Sequence, residues 1–525
     1  MLRKMLLFES PLKNFKKLPW KTSIFWLSTS LVVWMLGIGG RDLYALPGLI
    51  GLFFIFRELI LKNKSFAEFN FTQSSRFLVL TLYSALILII ITTTFLNLYS
   101  FRWNIFDVGS YSSVVFNLSH GLNYNSFLQI PATADHFTPS LAIFTPLYQL
   151  VPSVHWLTLA KALSYLSVPL IVYFWLKDKT ENNFRFTLSL GFGLWMLLFY
   201  KPAVSSRLFE FSPSSLAPPF IILSFILMER KRWALFSLTM LFLLGLKEHM
   251  GIVLIGFGLF EMAKKNFKTG IIFSGLGLFI VYAMIFQIMP YFRDYQVFGN
   301  TQIAPFQNIY GKSLYLFKLL WPLGFLPLIF WRYGILAAPA IGVNLISGRP
   351  GMYSSEFHYD DVSSILLLMA CTLILIEKRQ YFFKLSQEKW LKGIFIIWLF
   401  SIMLLLPPSP AWKLADAIPQ EIHLSLRQEI RTIERKWPEH SLAVQSTIGP
   451  HFQRNAITII GQQSSGVCLP PLINGVKAEL ILLSPDIPHY MIDNFDACIH
   501  SLENNPNYIR LKTFQNLIVF QRSIN

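Results

Sequence analysis

The sequence predicts an α-helical multi-pass membrane protein of about 13 transmembrane helices, ending in a small extracytoplasmic α/β domain. Three observations carry that expectation. First, 54% of the 525 residues are hydrophobic and only 14% are charged, where soluble domains carry roughly 25% charged residues. So much apolar surface cannot be folded into one water-soluble core. Second, apolar runs close to the ~20 residues that cross a hydrocarbon layer recur through the first 410 residues. Third, residues 411–525 switch to short β-type runs and amphipathic helix.

Taken in order, the expected spans are 23–39, 45–61, 77–98, 157–176, 186–200, 214–228, 233–246, 250–263, 269–289, 314–331, 333–347, 361–377 and 391–407. Residues 1–76 form a two-span extension and 77–410 the main transmembrane domain, with a first external loop at 99–156. Charge sets the orientation. The net charge is +17, yet residues 411–525 are neutral, leaving 35 of the 45 basic and 18 of the 28 acidic residues in 1–410. That excess sits in short segments such as "RELILKNKS", "KDKTENNFR", "MERKR" and "EMAKKNFK", which the positive-inside rule makes cytoplasmic. It speaks for topology and anionic lipid rather than nucleic acid. Residues 1–22, with six basic residues and no small-residue cleavage site, read as an uncleaved cytoplasmic N-terminus.

Two runs depart from this scheme. "LAIFTPLYQLVP" at 141–152 is apolar, short and holds two prolines; it is expected to lie outside as an amphipathic or re-entrant helix. The stretch 233–263 is interrupted by "KEH". Its arms of ~21 Å are shorter than the ~30 Å hydrocarbon layer. Lys247, Glu248 and His249 are therefore expected at the bottom of an outward-facing cavity. In 411–525, "LRQEIRTIERKW" is an amphipathic helix, and "SLAVQST", "AITIIG", "AELILLS" and "NLIVFQR" are short strands, an alternation that gives a small α/β domain. Cys468 and Cys498 both fall there, where a disulfide could form, and Cys371 lies in an apolar run.

The segments expected outside bring ionisable residues to one side of the membrane, where such groups are costly and suggest function. The first loop supplies Arg102, Asp107, Asp135 and His136. The segment 201–213 supplies Lys201, Arg207 and Glu210. "RPGMYSSEFHYDD" supplies Arg349, Glu356, His358, Tyr359, Asp360 and Asp361. Each has a plainer role too. Asp107 is placed to cap the helix that follows, and Lys247 and Glu248 could pair with each other. There is no phosphate-binding glycine loop, nucleophile elbow or metalloprotease motif. The carboxylates and histidines admit a divalent metal, but no spacing demands one, and no cofactor is implied.

The motifs "NIFDVGSYSSVVFNLSHG", "DHFTPSLAIFTPLYQL", "RLFEFSPSSLAPPF", "GLKEHMGIVLIGFGLF", "FHYDDVSSILLLMA" and "SLAVQSTIGPHFQRN" follow one another in this order. Together they resemble a bacterial family of multi-pass membrane proteins known as a domain of unknown function, over roughly residues 77–525. That family in turn resembles, more distantly, the GT-C superfamily of membrane glycosyltransferases. The resemblance implies a GT-C-like fold in the bacterial cytoplasmic membrane. It also implies an external active site that moves a sugar from a polyprenyl-phosphate donor to an envelope glycan, lipid or protein. The first-loop aspartate of that class falls on Asp107, with Val108 where many members carry a second acid. On this reading Asp107 is the base, and His136 orients the acceptor or protonates the departing phosphate. Arg102, Arg207, Lys247 and Arg349 would bind the donor phosphate. A flippase for lipid-linked glycans, or a non-catalytic envelope assembly protein, would use the same cavity without a base.

Overall fold

The computed structural model describes residues 73–292, 303–385, 410–463 and 467–523, with isolated positions between 386 and 409. The expected spans at 23–39, 45–61 and most of 391–407 lie outside the described residues.

The membrane part is built of helices whose breaks are written in the sequence. The first helix, α1 (Gln73–Tyr99), is an unbroken Leu/Ile-rich run. The first loop then carries α2 (Ser110–Ser119) and two short helical turns, Pro139–Phe144 and Thr145–Leu150. Those two turns are the segment expected not to cross, and Ile143, Leu150 and Val151 stay exposed on it. Next come α3 (His155–Trp175) and α4 (Asn182–Leu194). After a π-turn at Trp195–Phe199 the chain bends by 66° into α5 (Lys201–Leu208). Then follow α6 (Ala217–Glu229), α7 (Trp233–Leu244), α8 (Gly251–Ala263) and α9 (Phe267–Ala283). With 12 and 13 residues, α7 and α8 are ~18–20 Å long, a hairpin with arms shorter than a bilayer, as the sequence implied. At the α8–α9 seam a Cβ on Gly251 would lie 2.7 Å from the Gly277 carbonyl, and one on Gly258 2.6 Å from that of Gly270. Small residues let the two backbones touch.

The later spans differ from expectation. The run 314–331 is helical as α10 (Ile309–Leu320) and, past a break, only as the short turns Trp321–Leu323 and Leu326–Ile329. "WPLGF" makes that break, with Gly324 and Phe325 both left-handed. The run 333–347 gives only α11 (Ala338–Ile346), whereas α12 (Ser363–Glu377) forms as expected. Among the described residues three helical stretches are long and apolar enough to cross a membrane, or four if the bent α4–α5 pair counts as one. The expected count of 13 spans is therefore not reproduced. Proline, glycine and short hairpins divide the apolar runs into pieces shorter than a bilayer.

One core runs through α1–α12. The C-terminal part has its own. After α13 (Pro410–Ala417) and α14 (Glu421–Lys436) come β1 (Leu442–Val444), β2 (Ile457–Ile459), β3 (Leu472–Ile473), β4 (Val476–Lys477) and β5 (Leu480–Leu483). These are followed by α15 (Phe495–Glu503), β6 (Tyr508–Leu511) and β7 (Ile518–Arg522). The main sheet has the order β2-β1-β5-β7-β6. In it β1 pairs parallel with β2 and β5, and β7 pairs antiparallel with β5 and β6. Cys468 and Cys498 form a disulfide. The Arg427 guanidinium on α14 stacks 3.7 Å from the Tyr99 ring at the end of α1.

Candidate functional site

The site grows from the turn after α1. Asn104 and Asp107 could each cap the next helix, being three residues apart. The structure uses Asn104, whose Oδ1 accepts from the Phe106 amide at 2.7 Å. Residues Ile105–Gly109 then make one π-turn before α2. Asp107 is thereby released from the capping role expected of it. Among the described residues its carboxylate accepts no direct hydrogen bond, though it is largely enclosed.

What holds this turn is a second acid. Glu210, 5% exposed, accepts from the amides of Asn104 (3.0 Å) and Val108 (3.3 Å) through one carboxylate oxygen. Burial and the charge of Asp107 push the Glu210 carboxyl up to about 8, against the two amides and Lys161, which pull it down. Burial likewise raises Asp107, opposed by Lys247, His136 and Lys161. The second acid absent beside Asp107 in the first loop is thus brought in from 209–212.

Cations surround the pair. The turn between α7 and α8 delivers Lys247, 6% exposed, within electrostatic reach of Asp107, His136, Glu248 and His249. Its position is fixed by Ser140, whose amide donates to the Gly245 carbonyl (2.9 Å) and whose hydroxyl donates to that of Phe242 (2.7 Å). Lys247 does not pair with Glu248. Instead Glu248 takes Nδ1 of His136 at 3.0 Å and the Phe137 amide at 3.4 Å. Burial works against the charge on both His136 and Glu248. Their mutual attraction overcomes it, so the imidazole is raised and the carboxyl is held well below its usual range. Asp135 lies 4.0 Å from the other imidazole nitrogen. Burial, with Lys247 and His136 nearby, depresses His249 to about 4 despite Glu248.

Lys161, inside α3 and 1% exposed, donates to the carbonyls of Phe209 and Glu210. It was hidden inside an apolar run, where a lone lysine in a span is itself the signal. Arg207 is 8% exposed and its Nε is buried without a partner. It faces Lys161 and Tyr165, so it reaches the acid pair through Lys161. Among the described residues neither Lys247 nor Arg207 forms an ion pair within 4 Å. His358, 7% exposed, has both ring nitrogens buried and unpartnered, and it packs on Phe209 and Tyr359. Tyr111, also missed in the sequence, is buried with its phenol raised by burial and by the charges of Asp107, Asp135 and Glu248.

Other expected members stand elsewhere. Arg102 is exposed and contacts Asp416 on α13. Arg349 is exposed on its loop. Lys201 pairs with Glu356 at 2.5 Å, and both are substantially exposed. Asp360 accepts from Tyr315 and Ser363, each at 2.7 Å, and from Asn344. It ties α10, α11 and α12 together. Tyr359 offers its carbonyl to Asn344. Asp361, by contrast, belongs to the cluster: it is hydrogen-bonded by Tyr165 and Ser214 and lies within electrostatic reach of Lys161 and Lys247. Among the described residues no group of three His, Cys, Asp or Glu side chains is arranged to hold a metal.

A family model described as a predicted membrane protein, DUF2079, matches residues 97–442. No curated protein matches the chain. Among solved structures it is similar to ArnT from Cupriavidus metallidurans, solved bound to undecaprenyl phosphate. The TM-score is 0.50 at 12% identity, over 84% of this chain and 97% of that one. At that identity the likeness speaks for the fold alone.

Proposed function

The chain belongs to the DUF2079 family of predicted membrane proteins, and from that membership and the geometry above we propose that it is a membrane glycosyltransferase. Its donor is a sugar on a polyprenyl phosphate, and its acceptor is an envelope glycan, lipid or protein on the non-cytoplasmic side of a bacterial cytoplasmic membrane. The observation that carries this reading is charge. Among the described residues two nearly buried cations, Lys247 and Arg207, form no ion pair within 4 Å, and Lys247 lies within electrostatic reach of a carboxylate, Asp107, that accepts no hydrogen bond there. Buried charges are normally paired. An anionic ligand beside a reactive acceptor supplies what each group lacks. The structural neighbour was solved with such a lipid phosphate, and the Cys468–Cys498 disulfide favours an oxidising compartment for the C-terminal domain.

In the proposed reaction, the acceptor hydroxyl attacks the anomeric carbon. Its proton passes to the Asp107 carboxylate, raised by burial toward the range where a general base works best at neutral pH. The bond from the anomeric carbon to the phosphate oxygen breaks, and its electron pair stays on the lipid phosphate. Lys247 and Arg207 hold that growing charge. His136, whose imidazole Glu248 raises, adds to the positive field when protonated. Glu210 fixes the turn on which Asp107 rides.

The test compares glycolipids of cells carrying the wild-type chain, Asp107→Asn and no chain. The expected result is a modified envelope glycan in the first only, with the polyprenyl-phosphate sugar accumulating in the other two. An unchanged profile in all three would reject the reading, and full transfer by Asp107→Asn would remove Asp107 as the base.

A further inference from the structure

The parallel strands β1, β2 and β5 end together at Val444, Ile459 and Leu483. In doubly wound sheets ligands bind in the crevice beyond such carboxyl ends. Here that edge is filled by the protein itself. Gln445 donates to the Pro488 carbonyl at 3.0 Å and accepts from the Ser484 amide at 2.8 Å. Thr447 donates to Pro488 at 2.6 Å.

Over this edge lies the first loop. The Ile105 amide donates to the Ser446 carbonyl at 3.0 Å. Thr458 Oγ1 donates to the Phe127 carbonyl at 3.1 Å, and Ser112 Oγ to Gln453 at 3.0 Å. Phe101, Ile105 and Phe127 are each at most 3% exposed and belong to the core of the C-terminal domain, with Leu442, Val444 and Leu480. Gly449 makes the fit possible. A Cβ there would stand 2.1 Å from Ile105 Cγ2 and 2.9 Å from the Phe127 ring. Ile105 shares its π-turn with Asp107.

We propose that the C-terminal domain binds the first loop as an internal ligand and that Gly449 is a positioning residue for Asp107. The sheet edge that other α/β domains offer to small molecules here sets where the carboxylate points. This rests on the reading of Asp107 as the base. Glu210 holds the turn from the membrane side, and Ser446 and Gly449 hold it from the sheet side, so both parts of the chain complete one site.

The experiment uses the full chain in nanodiscs, with Gly449→Ala, Ile105→Ala and the double variant. In Gly449→Ala, amide exchange over 104–109 should rise about tenfold or more, while β1 and β5 stay protected. Binding of undecaprenyl phosphate should persist. Transfer, read by the glycolipid comparison above, should fall about a hundredfold, the scale of a 1 Å misplacement. Adding Ile105→Ala removes the clashing Cγ2 and should recover much of both readouts. Unchanged exchange at 104–109 overturns the proposal, as does β1 opening in step with the loop. If the loop loosens and is rescued while transfer never changes, the positioning stands and Asp107 as base falls. Should Gly449→Ala not accumulate, Thr458→Val removes the bond to Phe127 and gives the same readouts in milder form.

Discussion

Asp360 and Asp107 both sit in largely enclosed surroundings within one protein, and their environments are opposite. Asp360 is satisfied by Tyr315, Ser363 and Asn344, donors from three helices. Asp107 accepts no hydrogen bond among the described residues, and Lys247, within electrostatic reach of it, forms no ion pair within 4 Å among them. Enclosure alone therefore does not mark a reactive group. A buried network whose valences are closed builds structure, and one left open is waiting for a ligand.

That contrast can be broken experimentally. The largest effect is expected for Asp107→Asn, a fall in transfer of about 10²–10⁴-fold, the usual worth of a general base, with the thermal midpoint unchanged or raised. A loss of midpoint equal to that of Asp360→Asn would erase the distinction. Next, Lys247→Ala should weaken binding of undecaprenyl phosphate by about 1.5–3 kcal/mol, the range for a charged hydrogen bond. Unaltered affinity by titration would take Lys247 out of the phosphate site. Asp360→Asn should cost about 1–3 kcal/mol of stability, read as a lower thermal midpoint, with transfer per folded molecule preserved.

The smallest effect concerns pH. The His136 imidazole is raised from 6.5 and the Glu248 carboxyl lowered from 4.5. The histidine's contribution is complete below 6.5 and fades as pH climbs through its raised value. The glutamate's is complete above 4.5 and fades as pH falls through its lowered value. The tether is thus strongest between 4.5 and 6.5. Relative to its intrinsic base-catalysed rate at each pH, exchange of the Phe137 amide, which donates to Glu248, should quicken by roughly fivefold on the alkaline side. A flat profile would show that the pair does not close this corner.

The sequence offered Asp107 and Asp360 alike as site candidates, so this contrast was not legible in it, although other features were. Composition and charge bias marked a membrane helical protein with a small α/β end. Position near a membrane surface singled out Asp107, His136, Lys247, Arg207 and Glu210. What hydrophobicity cannot convey is pairing. Asn104 and Asp107 are equally good caps by residue type, and only the π-turn chooses between them. Arg102 shares the loop with Asp107, yet its contact with Asp416 depends on where α13 passes. Lys161 vanished into an apolar window although a lone lysine at that depth was the sharper clue. "WPLGF" carried its break openly, in Pro322 and Gly324, and an average over 314–331 smoothed it away.

The glycine seam between α8 and α9 has a consequence for depth. With the backbones touching at Gly251–Gly277 and Gly258–Gly270, the short hairpin cannot slide along its neighbour. The apolar stretch beginning with α9 runs from Phe267 to Tyr291, ~37 Å at 1.5 Å per residue, longer than a ~30 Å hydrocarbon layer, an excess taken up by tilt, kinking or a locally thicker bilayer. The ammonium of Lys247 is thereby indexed to a ruler laid against the bilayer. How deep it lies below the outer surface then follows the thickness of the membrane around it.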